Sequence, residues 1–304
     1  MPKKPDSPRQ SLIFGGSPTS ASFSDRPSYL PGDIQNKAIP RSLIEEMGFW
    51  SMGEGQQLST ESAKALIEAE ILAMRLRASG LLEGMGLDVE CDKKESLKGH
   101  HTKAAVLSLR INEELIKRGS SLGVSDFLVL AIAARLHDIG KLNPMINRVV
   151  MSDKKLIKGS PEWNTVTLHP SLGAEVIQKT ICAEVMQDAR GRWWMTDEIK
   201  KLIARRMKRI TDAVHQHHEK LDGSGYYGIK GEDICPEALI IGVADIVDAM
   251  GEPRTYRPSL PPTEIMDYLW HRENEHPREI LEIMDGIHHT SGIIVRHKSL
   301  RVPV

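Results

Sequence analysis

Apolar residues recur at helical spacing along most of the chain beyond residue 59. In TESAKALIEAEILAMRLRASGLLEGM, Ala65, Leu66, Ile71, Leu72 and Leu76 share one helical face, and Gly80 is placed to stop the helix. The same period continues from His101 to Lys117 through Ala104, Ala105, Leu107, Ile111 and Leu115. FLVLAIAARL, from Phe127, is apolar nearly all round, as a helix buried on every side must be, and Ser125 is placed to cap it. Further helices are predicted over Pro170–Thr180, Asp197–Glu219 and Pro236–Met250, the last with proline at its first position. Strict two-residue alternation is scarce, and Gly292–Val295 is the one short candidate strand. No internal repeat is visible. The pattern predicts an all-α protein.

The first forty residues follow no such period. They are rich in Pro, Ser and Gly, with isolated apolar residues that cannot bury enough surface to offset the entropy of ordering them. They are expected to form a tail. Forty basic residues against 41 acidic ones leave a net charge of −1, which excludes a global footprint for polymeric nucleic acid or an anionic membrane. Cys91, Cys182 and Cys235 are odd in number and far apart, which fits neither a disulfide framework nor a metal knuckle and favours a reducing compartment. The longest apolar stretch, Phe127 to Ala134, is far short of a membrane span, and Lys3 and Lys4 lack the apolar run of a signal peptide. A cytoplasmic protein is expected.

Histidine changes the picture. Seven of the twelve histidines lie between His100 and His218, most of them beside apolar helical runs. His137–Asp138 follows the buried helix directly, and a charged Asp in such a place is costly unless paired or bound to metal. His169 follows in LHPSLG, His217 and His218 lie in HQHHEKLDGSG, and Asp245 interrupts the apolar run IIGVADIVDAM. Imidazoles and carboxylates together form a ligand set suited to Fe or Mn, with Zn, Ni or Co also accommodated.

Taken in order, His101, His137-Asp138-Ile139-Gly140-Lys141, His169-Pro170, His217-His218-Glu219, Asp222-Gly223-Ser224-Gly225-Tyr226 and Val243-Ala244-Asp245 resemble the HD-GYP family. These are bacterial HD-superfamily phosphodiesterases that hydrolyse cyclic di-GMP. Arg254-Thr255-Tyr256-Arg257 matches the family's element after the last Asp. The resemblance implies an HD-superfamily helical bundle over residues 95–260, after a tail and linker (1–58) and a helical segment (59–94), with a helical extension at 261–304. It implies metal ligation by His101, His137, Asp138 and Asp245 together with His169, His217 and His218, with Asp138 bridging. Lys141 would face the scissile phosphate as a catalytic residue beside Asp138. Tyr226, Arg254, Arg257, Gly225 and Asp222 would contact substrate.

Four departures stand out. The family's Gly-Tyr-Pro reads Gly225-Tyr226-Tyr227, so the proline that stiffens the loop is absent, and the loop to Gly231 is about one residue shorter than the family's usual pattern. Leu97 occupies the place, one helical turn before His101, where three-metal members carry a Glu; Glu95 is out of register there. The stretch between His169 and His217 is longer than the family norm, leaving room for an insertion around Arg190–Trp194.

Residue chemistry then supplies an expected mechanism. Two divalent ions about 3.5–4 Å apart can share a hydroxide and clamp the phosphoryl oxygens. Lys141 can neutralise developing charge or protonate the leaving oxygen. The expected reaction is cyclic di-GMP hydrolysis to linear pGpG, in part to GMP, with two ions because Leu97 cannot anchor a third. Alternatives are another cyclic dinucleotide or nucleotide phosphate on the same scaffold, or a non-catalytic dinucleotide sensor that recruits a protein partner through the tail or the domain surface. His100 and His215 read as spare neighbours of the ligands, Trp193-Trp194 as core packing, and Lys200 to Arg209 as a solvated helix face.

Overall fold

The computed structural model describes residues 58–78, 81–87, 95–152, 156–186, 197–251 and 258–290. The tail, Trp193-Trp194, Arg254, Arg257 and Gly292–Val295 lie outside the described residues, as do the side chains of Glu95 and Leu97. Among the described residues every regular element is helical. In chain order they are α1 (Thr60–Ala78), α2 (Leu81–Gly84), α3 (Glu95–Lys117), α4 (Phe127–Leu136), a 3-10 turn (Ile139–Leu142), α5 (Pro144–Val150) and α6 (Pro161–Val166). After these come α7 (His169–Met186), α8 (Asp197–Gln216), α9 (Pro236–Gly251), α10 (Pro262–Trp270) and α11 (Arg278–Thr290).

Helix α4 is the centre. Its residues Val129 to Leu136 are all buried, which is why its sequence is apolar all round, and α1, α3 and α8 pack about it. Burying a side chain such as Leu130 or Ile132 contributes about 1.5–3 kcal/mol, so this helix anchors the core. Helix α9 packs on α3, α7 on α8, and α11 on α3. A continuous apolar core runs from Ala65 and Leu72 in α1 to Ile280 and Met284 in α11. The cap of α4 is Asp126 rather than Ser125, with its carboxylate accepting from the Val129 N–H at 3.5 Å. Pro236 opens α9 as its sequence position predicts. The basic run on α8 is not wholly solvated: the Arg209 guanidinium donates to the buried Glu237 carboxylate.

The turn after α4 positions the site. It abuts the start of α7 so closely that a Cβ on Gly140 would lie 2.1 Å from the His169 carbonyl oxygen, a separation only glycine permits. No described helix is long and apolar enough to cross a membrane.

Candidate metal centre

Five helix segments converge on one buried polar cluster. His137 and Asp138 follow α4, His169 opens α7, His217 and His218 follow α8, Asp245 lies within α9, and His100 lies on α3. Three of the imidazoles are fixed by one local device. His137 Nδ1 donates to the Ala134 carbonyl at 2.7 Å, His169 Nδ1 to that of Val166 at 2.8 Å, and His217 Nδ1 to that of Val214 at 2.6 Å. A carbonyl can only accept, so Nδ1 carries a proton in each ring, and Nε2, which faces the interior, bears a lone pair whenever the ring is neutral.

Asp138 divides these donors into two groups. On its Oδ1 side, His169 Nε2 lies at 3.1 Å and His217 Nε2 at 3.8 Å, the two imidazole nitrogens are 3.3 Å apart, and His218 completes the group. On its Oδ2 side are His137 Nε2 at 3.5 Å and His100 Nε2 at 3.8 Å, and both nitrogens also face Asp245 Oδ1, at 3.6 and 3.0 Å. Acceptors facing acceptors across 3.3 Å repel one another unless a cation lies among them. The buried Nε2 of His137 and Oδ1 of Asp138 have no hydrogen-bond partner. The donor set therefore fits divalent metal: imidazole plus carboxylate, one oxygen of Asp138 turned to each group.

His100 replaces His101 in this arrangement. Its Nδ1 donates to the Asp248 carboxylate, which turns Nε2 toward Asp245. His101 belongs to neither group; its Nε2 is 3.9 Å from Asp138 Oδ2, while its Nδ1 faces Arg135 at 3.4 Å. Successive helical residues diverge by about 100°, so the two histidines cannot both aim at α9. Arg135 is itself held by Glu70 of α1 at 2.6 Å, which fixes the surroundings of His101. Asp248 was missed in the sequence, although its spacing of three from Asp245 puts both carboxylates on one face of α9. With His100 as the ligand, the residue one turn earlier is Ser96, again no carboxylate.

The electrostatics separate the two groups. Burial favours neutral His137, yet Asp138 and Asp245 outweigh it and carry the imidazole up to about 10. His100 is also raised, with Asp245 and Asp248 overcoming its burial. Burial alone would push Asp138 up, but Lys141 and His137 hold it well below the usual carboxylate range. In the other group burial wins: His169 falls to about 4 and His218 lies well below its ordinary value. One group attracts positive charge and the other offers free lone pairs. A metal would displace protons from the first and bind the second without that competition.

Lys141, on the 3-10 turn, reaches Asp138 Oδ2 at 2.5 Å. The Tyr226 ring lies 4.5 Å from that of His218 and 6.2 Å from that of His169, with Trp163 edge-on at 5.4 Å. Burial, then the nearby Asp245 and Asp138 charges, keep its phenol protonated. Glu219, buried beside His218, accepts from the N–H groups of Tyr227 and Ile229 at 2.9 and 2.8 Å and so shapes the loop. A Cβ on Gly225 would lie 2.6 Å from Glu219 Cα, so close approach is what demands glycine there. The exposed Asp222 carboxylate accepts from the Ser224 N–H at 2.9 Å and closes the turn.

Known proteins resemble this chain in sequence. A family model described as HD domain matches residues 193–277, a span that takes in His217, His218 and Asp245. The chain is 30% identical to 3′3′-cGAMP-specific phosphodiesterase 3 of Vibrio cholerae, over 54% of this chain and 29% of that protein. It is 30% identical to the cyclic di-GMP phosphodiesterase response regulator RpfG of Xanthomonas campestris pv. campestris, over 51% of this chain and 35% of that protein. Residues 193–277 therefore match an HD domain, and these relatives are named as cyclic-dinucleotide phosphodiesterases. A third comparison, with cyclic di-GMP phosphodiesterase PA4108 of Pseudomonas aeruginosa, gives 29% identity over 67% of this chain and 41% of that protein. The chain thus spans less than half the length of these curated relatives. A solved structure, Bd1817, a HDG"Y"P protein from Bdellovibrio bacteriovorus, aligns with TM-score 0.46 and 16% identity over 74% of this chain and 61% of that one. That likeness is too loose to carry an argument.

Proposed function

We propose that this protein is a metal-dependent phosphodiesterase that opens a cyclic dinucleotide, cyclic di-GMP first among them, to its linear form. The observation that carries the reading is the pair of donor groups sharing Asp138, with Lys141 resting on the same carboxylate. His169, His217, His218 and Asp138 Oδ1 would hold one divalent ion, and His100, His137, Asp245 and Asp138 Oδ2 a second. Iron or manganese suits this nitrogen and oxygen set best. When bound, the ions supply charge neutralisation at phosphorus and a water acidic enough to attack near neutral pH.

The chain's own residues do the rest. Lys141 would neutralise charge on the phosphoryl oxygens and deliver a proton to the departing 3′ oxygen as the P–O bond breaks. Tyr226, protonated and half-buried beside His218, would donate a hydrogen bond to a phosphate oxygen. Arg254 and Arg257 follow α9 in sequence and carry planar donors suited to the second phosphate. One such hydrolysis yields linear pGpG, and conversion to GMP requires a second.

A second reading, 3′3′-cyclic GMP-AMP as substrate, is favoured by the altered Gly225-Tyr226-Tyr227 loop and by the named activity of the Vibrio relative. Incubating the manganese- or iron-loaded protein with cyclic di-GMP, 3′3′-cyclic GMP-AMP and mononucleotides, followed by chromatography of products, separates the readings. Linear dinucleotide from either cyclic substrate supports the enzyme. Tight binding without turnover of any of them would mark a sensor instead.

A further inference from the structure

Tyr227 stands where the resembling family has proline, and it makes contacts proline cannot make. Its hydroxyl donates to the Thr167 carbonyl at 2.7 Å and accepts from the Ser171 hydroxyl at 3.0 Å. Those two partners lie two residues before and two residues after His169, so one phenol straddles that histidine. Its ring stacks on His215, centroids 4.5 Å apart and planes within 8°, two residues before His217. Its backbone N–H donates to Glu219, the residue after His218. Tyr227 therefore touches the flank of all three histidines in the Oδ1 group, and its hydroxyl is engaged by Thr167 and Ser171.

We propose that Tyr227 is a positioning residue that ties the Gly223–Gly228 loop to the α6–α7 corner and thereby sets Tyr226 against the His169 and His218 rings. Adjacent Cα atoms are about 3.8 Å apart across a fixed peptide, so a shift of Tyr227 is passed directly to Tyr226. Proline would stiffen the local backbone but supplies neither the hydroxyl nor the N–H that Glu219 receives. In this chain side-chain anchoring performs the task that ring closure performs in the Gly-Tyr-Pro pattern. Tyr227→Pro is accordingly expected to impair the protein rather than restore it.

The kinetic part of the test rests on the phosphodiesterase reading; the exchange part does not. In the full-length, metal-loaded protein, Tyr227→Phe keeps the stack on His215 and removes both hydroxyl bonds. It is expected to lower kcat/KM for the cyclic dinucleotide about tenfold, the scale of one net hydrogen bond, with metal content unchanged. Added to Tyr226→Phe, it is expected to cost less than about twofold, because a positioning residue has little left to position. Amide exchange across residues 222–230 is expected to accelerate in Tyr227→Phe while α9 stays protected. Full additivity of the two substitutions would overturn the proposal. So would unchanged loop exchange in Tyr227→Phe. If the wild type hydrolyses no cyclic dinucleotide, the enzymatic reading fails, and loop exchange alone still decides whether Tyr227 is the clamp.

Discussion

Truncating His100 to alanine distinguishes the arrangement seen here from the one the sequence suggests. His100 contributes one of four donors around the Oδ2 side of Asp138, with Nε2 3.0 Å from Asp245 Oδ1. Four-ligand zinc sites bind with about 10–16 kcal/mol, so one donor carries about 2.5–4 kcal/mol, or about 10²- to 10³-fold in affinity. The truncation also strips the buried Asp248 carboxylate of its imidazole partner, adding on the order of 1–3 kcal/mol of destabilisation to the metal-free protein. The assay is a manganese titration of chelator-stripped protein, followed calorimetrically and by elemental analysis. His100→Ala is expected to weaken one ion about a hundredfold or more and spare the ion among His169, His217 and His218. Because the His101 Nε2 lies 3.9 Å from Asp138, His101→Ala is expected to shift either affinity by less than about tenfold, the lower end of the range for residues around a metal site. Loss of an ion in His101→Ala with normal loading of His100→Ala would refute the geometry.

Two further outcomes follow from other parts of the molecule. Lys141→Ala should load metal nearly normally and lose about 10²-fold or more in turnover, the scale of a positioned proton donor; equal turnover would reduce the lysine to a partner of Asp138. His276 is buried, its Nε2 has no hydrogen-bond partner, and burial followed by Lys220 and Arg272 depresses it to about 3, against the opposing pull of Asp222. A histidine depressed on folding stabilises the protein above its unfolded value near 6.5, and that contribution is lost as pH falls toward 3, at up to about 1.4 kcal/mol per pH unit. His276→Gln should therefore flatten the acid limb of a stability–pH profile measured in chelator; an unchanged slope between pH 6.5 and 4 would contradict that origin.

The candidate metal centre was largely legible because most of the side chains proposed to form it, His137, Asp138, His169, His217 and His218, sit at helix ends with their own signatures. His137, His169 and His217 each need only the carbonyl three residues back to fix their rings. The choice between His100 and His101 was not legible, since it depends on the rotation of α3 against α9 rather than on residue type. Asp126 displaced Ser125 as the cap for a similar reason: one residue of register decides which oxygen meets the Val129 N–H. The work of Glu219 and Tyr227 is tertiary, spanning eight to sixty residues of sequence, and no local pattern announces it. Helix type and core, by contrast, followed from periodicity, most clearly in α4, where an apolar sequence on all sides found burial on all sides.

Hydrolysis of cyclic di-GMP followed while manganese is returned stepwise to chelator-stripped protein tests the central claim most directly. Linear pGpG should be absent without metal and should rise to a plateau as the second equivalent per chain is added, with Asp138→Ala inactive at every step. Turnover that persists in chelator, or a fully loaded protein that leaves every cyclic dinucleotide intact, would contradict a phosphodiesterase built on two ions sharing Asp138.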